Sequence, residues 1–214
     1  MRYGDDINYI LDNYEAEYRE ASAHSWARLC ECLNSKLESN EVTMSEIETM
    51  VAEHEKHSYI SDRTLDRKFD SIVYRVTDFS SDFNDDDESG PLGSAYEWIP
   101  KAMRTFLNEY QRASEIVSKT LYETLERGKQ NGRITVSGLK QFVAAVRRAQ
   151  RNHYVLDSFN RDEEARYLKS ALWNKYGSYF DQGKYENKKS GILGQFFYWL
   201  SNAIENYLRD KNTR

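Results

Sequence analysis

The chain has 214 residues, of which 30% are charged and 39% hydrophobic, and a formal net charge of −5. That length allows one domain or two small ones, and it buries a core without needing a disulfide, metal or cofactor. With 2 prolines and 10 glycines there are too few turn residues for a β-rich protein, and the balance favours long helices.

The opening residues MRYGDDINYI lack the apolar core and small-residue cleavage site of a secretory signal, and no run of about 18 apolar residues follows. A cytoplasmic protein without a membrane partner is expected. Cys30 and Cys32 are the only cysteines. Two residues apart on a helix they diverge, which excludes a local disulfide and a CxxC redox pair. The 16 tyrosines suit half-buried helix faces, where the ring packs and the hydroxyl stays wet.

From Asp6, the apolar positions Ile7, Ile10, Leu11, Tyr14 and Tyr18, then Trp26, Leu29, Cys30, Leu33 and Leu37, keep three- and four-residue spacing. This predicts one long helix, or two with a break near His24. After the extended-leaning Val42, Thr43 and Met44, Ser45 and Glu48 read as the capping box of a helix carrying Ile47, Met50, Val51 and His54. Another helix follows Ser61, with Leu65, Phe69, Ile72, Val73 and Val76 on one face. The stretch SSDFNDDDESGPLGS, residues 80–94, is acidic and aperiodic and reads as a flexible linker.

The pattern then restarts. Trp98, Met103, Phe106, Leu107 and Tyr110 open a helix, and Ile116, Val117, Leu121 and Leu125 continue it or begin the next, up to Gly128–Gly132. Ser137 reads as the N-cap of a helix with Leu139, Phe142, Val143 and Val146 inside. A helix from Asp162 carries Tyr167, Leu168, Leu172 and Trp173, a polar loop spans 177–190, and a last helix spans 191–214. On that helix Ile192, Leu193, Phe196, Phe197, Leu200, Ile204, Tyr207 and Leu208 form one apolar face beside Trp199. The face suits a core helix closing a bundle. A partner-binding helix with Phe196, Phe197, Trp199, Leu200 and Ile204 at the interface is the second expectation.

The segments 29–52 and 121–144 align without gaps at an offset of 92, with seven identities in 24 positions, among them Leu33 with Leu125, Thr43 with Thr135 and Ser45 with Ser137. Val42 with Ile134, Ile47 with Leu139 and Met50 with Phe142 keep core character. An internal duplication is expected, with a helix-to-helix junction used once in each half.

Charge divides the halves. Residues 1–92 hold 9 Lys and Arg against 22 Asp and Glu, and residues 93–214 hold 21 against 13. Two similar folds of opposite sign suit head-to-tail contact between copies, or partners of opposite charge, and they also attract each other within one chain. From Pro100 to His153 there are 11 basic residues and 4 acidic ones, so this half is the place for a nucleic-acid backbone to lie, in the manner of a helix-turn-helix.

NGRITVSGLKQF resembles the second half of an EF-hand loop around Gly132. In that register, positions 1, 3 and 12 are Arg127, Lys129 and Gly138, so the calcium-holding carboxylates are missing. HEKH, residues 54–57, spaces its histidines by three where the zinc-protease motif needs four. The Rx4H spacing of Arg148 and His153 resembles that of HEPN-type ribonucleases. The resemblance implies a small helical, metal-independent enzyme in which Arg148 and His153 polarise phosphate and assist attack by a ribose hydroxyl. Ala149 stands where that family usually has a polar residue.

The sequence therefore predicts an all-α protein. Its parts are an acidic helical unit at 1–79, the linker at 80–94, a basic helical unit at 95–176, the loop at 177–190 and the final helix. The leading function is non-enzymatic: a cytosolic interaction protein acting through opposite-charge surfaces, by self-association or by binding and masking a partner protein. Arg147, Arg148, Arg151 and Lys140 are the contact residues. The alternatives are sequence-tolerant nucleic-acid binding and the ribonuclease. No metal and no cofactor are expected.

Overall fold

The structure, a computed structural model, describes residues 3–78, 80–84, 90–151, 159, 162–182 and 190–212. These residues form seven α-helices: α1 (Tyr3–Glu38), α2 (Met44–His57), α3 (Arg63–Thr77), α4 (Ala95–Gln130), α5 (Val136–Arg151), α6 (Glu163–Tyr176) and α7 (Phe196–Asn212). A 3₁₀ turn at Gly177–Tyr179 follows α6. The described residues contain no strand, and the protein is all-α. None of the described helices is long and apolar enough to cross a membrane.

Two compact units divide the chain, Met1–Leu33 with Val42–Leu107 and Asn34–Glu41 with Asn108–Arg214. The boundaries fall within α1 and α4, the two 36-residue helices. Both run unbroken, α1 past His24 and α4 through Ile116. In the first unit α2 packs on α3, and Ile47, Met50, Phe69, Ile72 and Val76 are buried. In the second, α5 packs on α7 and on α6.

The junctions after α1 and α4 have the same backbone. Asn40 and Gly132 both take a left-handed φ, 58° and 72°. The N–H groups of Ser39, Asn40 and Glu41 donate to the carbonyls of Ser35, Leu37 and Lys36. Those of Asn131, Gly132 and Arg133 donate, 92 positions on, to Arg127, Lys129 and Gly128. Val42 and Ile134 are each 2% exposed.

The caps lie two residues ahead of the expected serines. Thr43, in extended conformation, accepts from Glu46 N–H through its side chain, and Glu46 answers by accepting from the Thr43 N–H, a complete capping box. Ser45 is inside α2. Thr135 does the same for Gly138 N–H at 2.9 Å, and Ser137 lies inside α5. Threonine's β-branch favours the extended backbone that a cap requires. Gly138 has no carboxylate to complete the box, and Glu164 of α6 supplies one, accepting from Thr135 N–H at 3.0 Å and Oγ1 at 3.2 Å.

A second similar turn, invisible at the 92-residue offset, precedes the last helical segment of each unit. GPLG at 90–93 and GILG at 191–194 each form a tight turn, with Gly93 N–H donating to Gly90 O and Gly194 N–H to Gly191 O. Each turn pairs with the preceding loop: Leu92 N–H donates to Asp82 O and Asn84 N–H to Gly93 O, while Leu193 N–H donates to Tyr179 O and Asp181 N–H to Gly194 O. The loops bury Phe83 and Phe180, which meet Trp98 and Trp199 edge-on at 5.6 and 5.5 Å. The described ends of 80–94 are thus anchored in the first unit, with Leu92 8% exposed. For the same reason α7 starts at Phe196, and Ile192 and Leu193 belong to the turn before it.

Substitution at these turns separates two effects. A Cβ on Gly191 would lie 2.4 Å from Phe180 C and Tyr179 O, and Gly191→Ala should cost about 3 kcal/mol in denaturant unfolding, as overpacking against backbone does. A Cβ on Gly93 meets nothing within 4 Å but sits at φ +68°, so Gly93→Ala should cost about 1 kcal/mol.

Candidate functional site

The basic surface chosen from sequence is built on α5, whose sequence VSGLKQFVAAVRRAQR contains no acidic residue. Leu139, Phe142 and Val146 turn inward, each 3% exposed or less, and leave Lys140, Gln141, Ala144 and Arg148 exposed on the outer face. The arginines separate. Arg147 is drawn to α7, where its guanidinium lies 2.6 Å from a Glu205 carboxylate oxygen and 3.4 Å from Gln150 Oε1. Arg151 ends α5; its side chain and His153 lie outside the described residues, as does the geometry of the Arg148 and His153 pair. Lys140 and Arg148 are the exposed cations of this face.

The apolar face of α7 points inward. Phe196, Phe197 and Trp199 are 5%, 5% and 3% exposed, and Leu200 and Ile204 are fully buried within the second unit's core. Phe180 and Phe196 meet edge-on at 4.9 Å. Burial of this kind is worth roughly 1.5–3 kcal/mol per side chain, and it commits these five residues to holding the unit together.

Two polar knots in the second unit were not foreseen from sequence. The Glu38 carbonyl, at the end of α1, accepts from Gln150 Nε2 at 2.7 Å and from the Tyr198 hydroxyl at 2.6 Å, while its carboxylate accepts from Gln195 N–H at 2.8 Å. Asn34 Nδ2 donates to Gly191 O at 2.8 Å. Burial, reinforced by the Glu38 charge, pushes the Tyr110 and Tyr198 phenols up to about 12. The cavity between these groups measures 30 Å³, room for a single water. In the other knot, Glu126 accepts from the Tyr207 hydroxyl at 2.6 Å and from Lys211 at 2.8 Å, with Lys129 at 3.4 Å. The Lys211 and Tyr207 hydrogen bonds hold its carboxyl down at about 2.

In the first unit, an open cleft of 530 Å³ is lined by Glu17, Glu20, Ala21, His24, Ser81, Asp82 and Pro91. Ser25 Oγ donates to Asp82 Oδ2 at 2.8 Å, and His24 Nδ1 lies 2.8 Å from the same oxygen. A hydrolytic triad needs the histidine between serine and acid, whereas here the acid is the hub and Ser25 is fully buried. The trio therefore clamps the loop to α1. Burial raises the Asp82 pKa, but the His24, Ser25 and Ser80 hydrogen bonds outweigh it and leave the carboxyl below its ordinary value. The histidines of HEKH pack on rings, His54 5.7 Å from Phe69 and His57 5.5 Å from Tyr59. Among the described residues, no group of three or more His, Cys, Asp or Glu is placed to hold a metal ion.

Compared with protein-family models, curated proteins and solved structures, the chain matches none.

Glu126 has a folded pKa below its unfolded value, so its stabilisation is fully present above about 4.5 and is lost as pH falls toward 2. Glu126→Gln should lower stability at pH 7 by under about 1 kcal/mol, since the group is partly exposed and screened. The gap between variant and parent, measured by urea unfolding across pH, should close below the ordinary carboxylate range.

Proposed function

We propose that this chain is a non-enzymatic cytosolic interaction protein that works through surfaces of opposite charge, by self-association or by binding and masking a partner protein. One observation carries the reading. The first compact unit holds 10 Lys and Arg against 21 Asp and Glu, and the second holds 20 against 14, balances of −11 and +6. Opposed fields of this size steer encounter and set the register of a complex. The exposed faces follow the same division: residues 11–20 of α1 are all exposed and include Asp12, Glu15, Glu17 and Glu20 against Arg19, while α5 exposes Lys140 and Arg148. The α7 apolar face is spent inside its unit, and these two charged faces are the contact surfaces of this reading.

A second reading, sequence-tolerant nucleic-acid binding, is favoured by one feature, the acid-free outer face of α5. Backbone contacts from Lys140 and Arg148 would show a steep salt dependence and similar affinity for unrelated sequences.

Light scattering on the purified protein at low and high salt tests the first reading. The expected result is a mass above 25.2 kDa at low salt that falls toward it as the Debye length shrinks from about 10 Å at 0.1 M to about 3 Å at 1 M. A single-chain mass at every salt removes self-association and leaves the partner protein. The double variant Lys140→Glu/Arg148→Glu tests the second reading in a gel-shift titration: loss of binding to two unrelated duplexes supports it, and no binding by the parent chain removes it.

A further inference from the structure

The N-terminal half of α1 exposes Leu11, Tyr14 and Tyr18 by 57%, 56% and 40%, three large side chains on one helical stripe. Single exposed hydrophobics are ordinary. This stripe is different because α4 carries all three positions in register and α7 carries the first two, with Lys211 at the third. At the 92-residue offset it falls on Met103, Phe106 and Tyr110 of α4. Met103 and Phe106 are fully buried, and burial holds the Tyr110 phenol up at about 12. A further 101 positions along, where GILG and Trp199 match GPLG and Trp98, the first two become Ile204 and Tyr207 of α7, 0% and 3% exposed. The stripe is a packing surface twice over, and on α1 it faces solvent.

Charge decides what covers it. Glu15 and Glu17 flank the stripe, and Arg19, paired with Glu15, is the only cation between residues 11 and 20. Two copies of α1 laid together would oppose like charges, which is unfavourable. The complementary surface must be basic, with small apolar residues that admit tyrosine rings. The outer face of α5 meets both conditions: Val136, Lys140, Ala144 and Arg148 are exposed at four-residue spacing, the ridge by which helices most often interlock. Val136 is 45% exposed.

We infer that the Leu11, Tyr14 and Tyr18 stripe of one copy docks on the Val136, Lys140, Ala144 and Arg148 ridge of a second copy. The inference rests on the self-association arm of the function proposed above. The contact is heterologous, so each docked chain presents a fresh stripe and a fresh ridge, and growth is open-ended unless the geometry closes a ring. Leucine and tyrosine supply the buried area, and Lys140 and Arg148 set orientation against the acidic flanks.

Complementation tests this directly. The variants Leu11→Ala/Tyr14→Ala and Lys140→Glu/Arg148→Glu change exposed positions, so each should keep the parental melting temperature within a few degrees. By light scattering at low salt, each alone should associate at least about tenfold more weakly than the parent. An equimolar mixture should form a two-chain particle that grows no further, because one intact stripe meets one intact ridge. A mixture that stays single-chain overturns the proposal. So does a ridge variant that assembles normally while the stripe variant does not, since the stripe would then cover itself. If both variants assemble like the parent, docking uses other surfaces and the self-association reading stands. A parent that is single-chain at every salt removes that reading as well.

Discussion

In each unit one glycine lets two stretches of backbone approach too closely for any side chain between them, and the turn before the unit's last helix depends on it. Gly90 lies so near Phe83, and Gly191 so near Phe180, that a methyl group at either position would sit 2.4–2.5 Å from main-chain atoms. That contact lets the turn pair with the loop before it, which buries a phenylalanine beneath the tryptophan of the next helix. It also sets where α4 and α7 begin, and hence which stripe of each helix faces inward. Only glycine permits the approach, so the geometry is set by an absent side chain, and apolar periodicity does not register it.

That is the main reason part of the architecture was hidden in the sequence. The helices, their inward faces and the junction at the 92-residue offset were legible, since Leu33 with Leu125 and Ile47 with Leu139 are core pairs spaced as helices require. The GPLG and GILG correspondence was not, because it lies at an offset of 101: the second loop is longer, and length change destroys a fixed register. Composition also hides detail. Acid density in 80–94 masks the signal from Phe83 and Leu92, buried at the described ends of that segment, and strong hydrophobicity carried the last helix back through Ile192 and Leu193, although Gly194 at φ +65° ends any continuation.

The chemical sites were less legible than the fold for a different reason. Arg147, Arg148 and Arg151 read as one basic cluster, yet the residue at 147 points toward α7 and its charge is met by Glu205 at 2.6 Å, while 148 faces outward. Adjacent residues on a helix diverge by about 100°, so a run of like charges in sequence rarely makes one surface. Glu38 and Glu126 failed to stand out because a helical glutamate is ordinary, and their partners Tyr198, Gln195 and Tyr207 lie far along the chain.

The two caps show what is held constant while residues change. At the first junction the carboxylate on the threonine comes from Glu46, three residues away, and Lys68 of α3 binds its other oxygen at 2.7 Å. At the second, residue 138 is glycine, and Glu164 reaches across from α6 into the vacated space, where a Cβ would be 2.1 Å from its carboxylate. The cap is local at the first junction and tertiary at the second. The second arrangement joins the cap of α5 to α6 by hydrogen bonds where α2 and α3 are joined by an ion pair. Gly138 is one of four positions at which α5 lacks an acid that α2 carries, with Lys140, Ala145 and Arg147 standing opposite Glu48, Glu53 and Glu55, so the cap and the charge of the helix differ together.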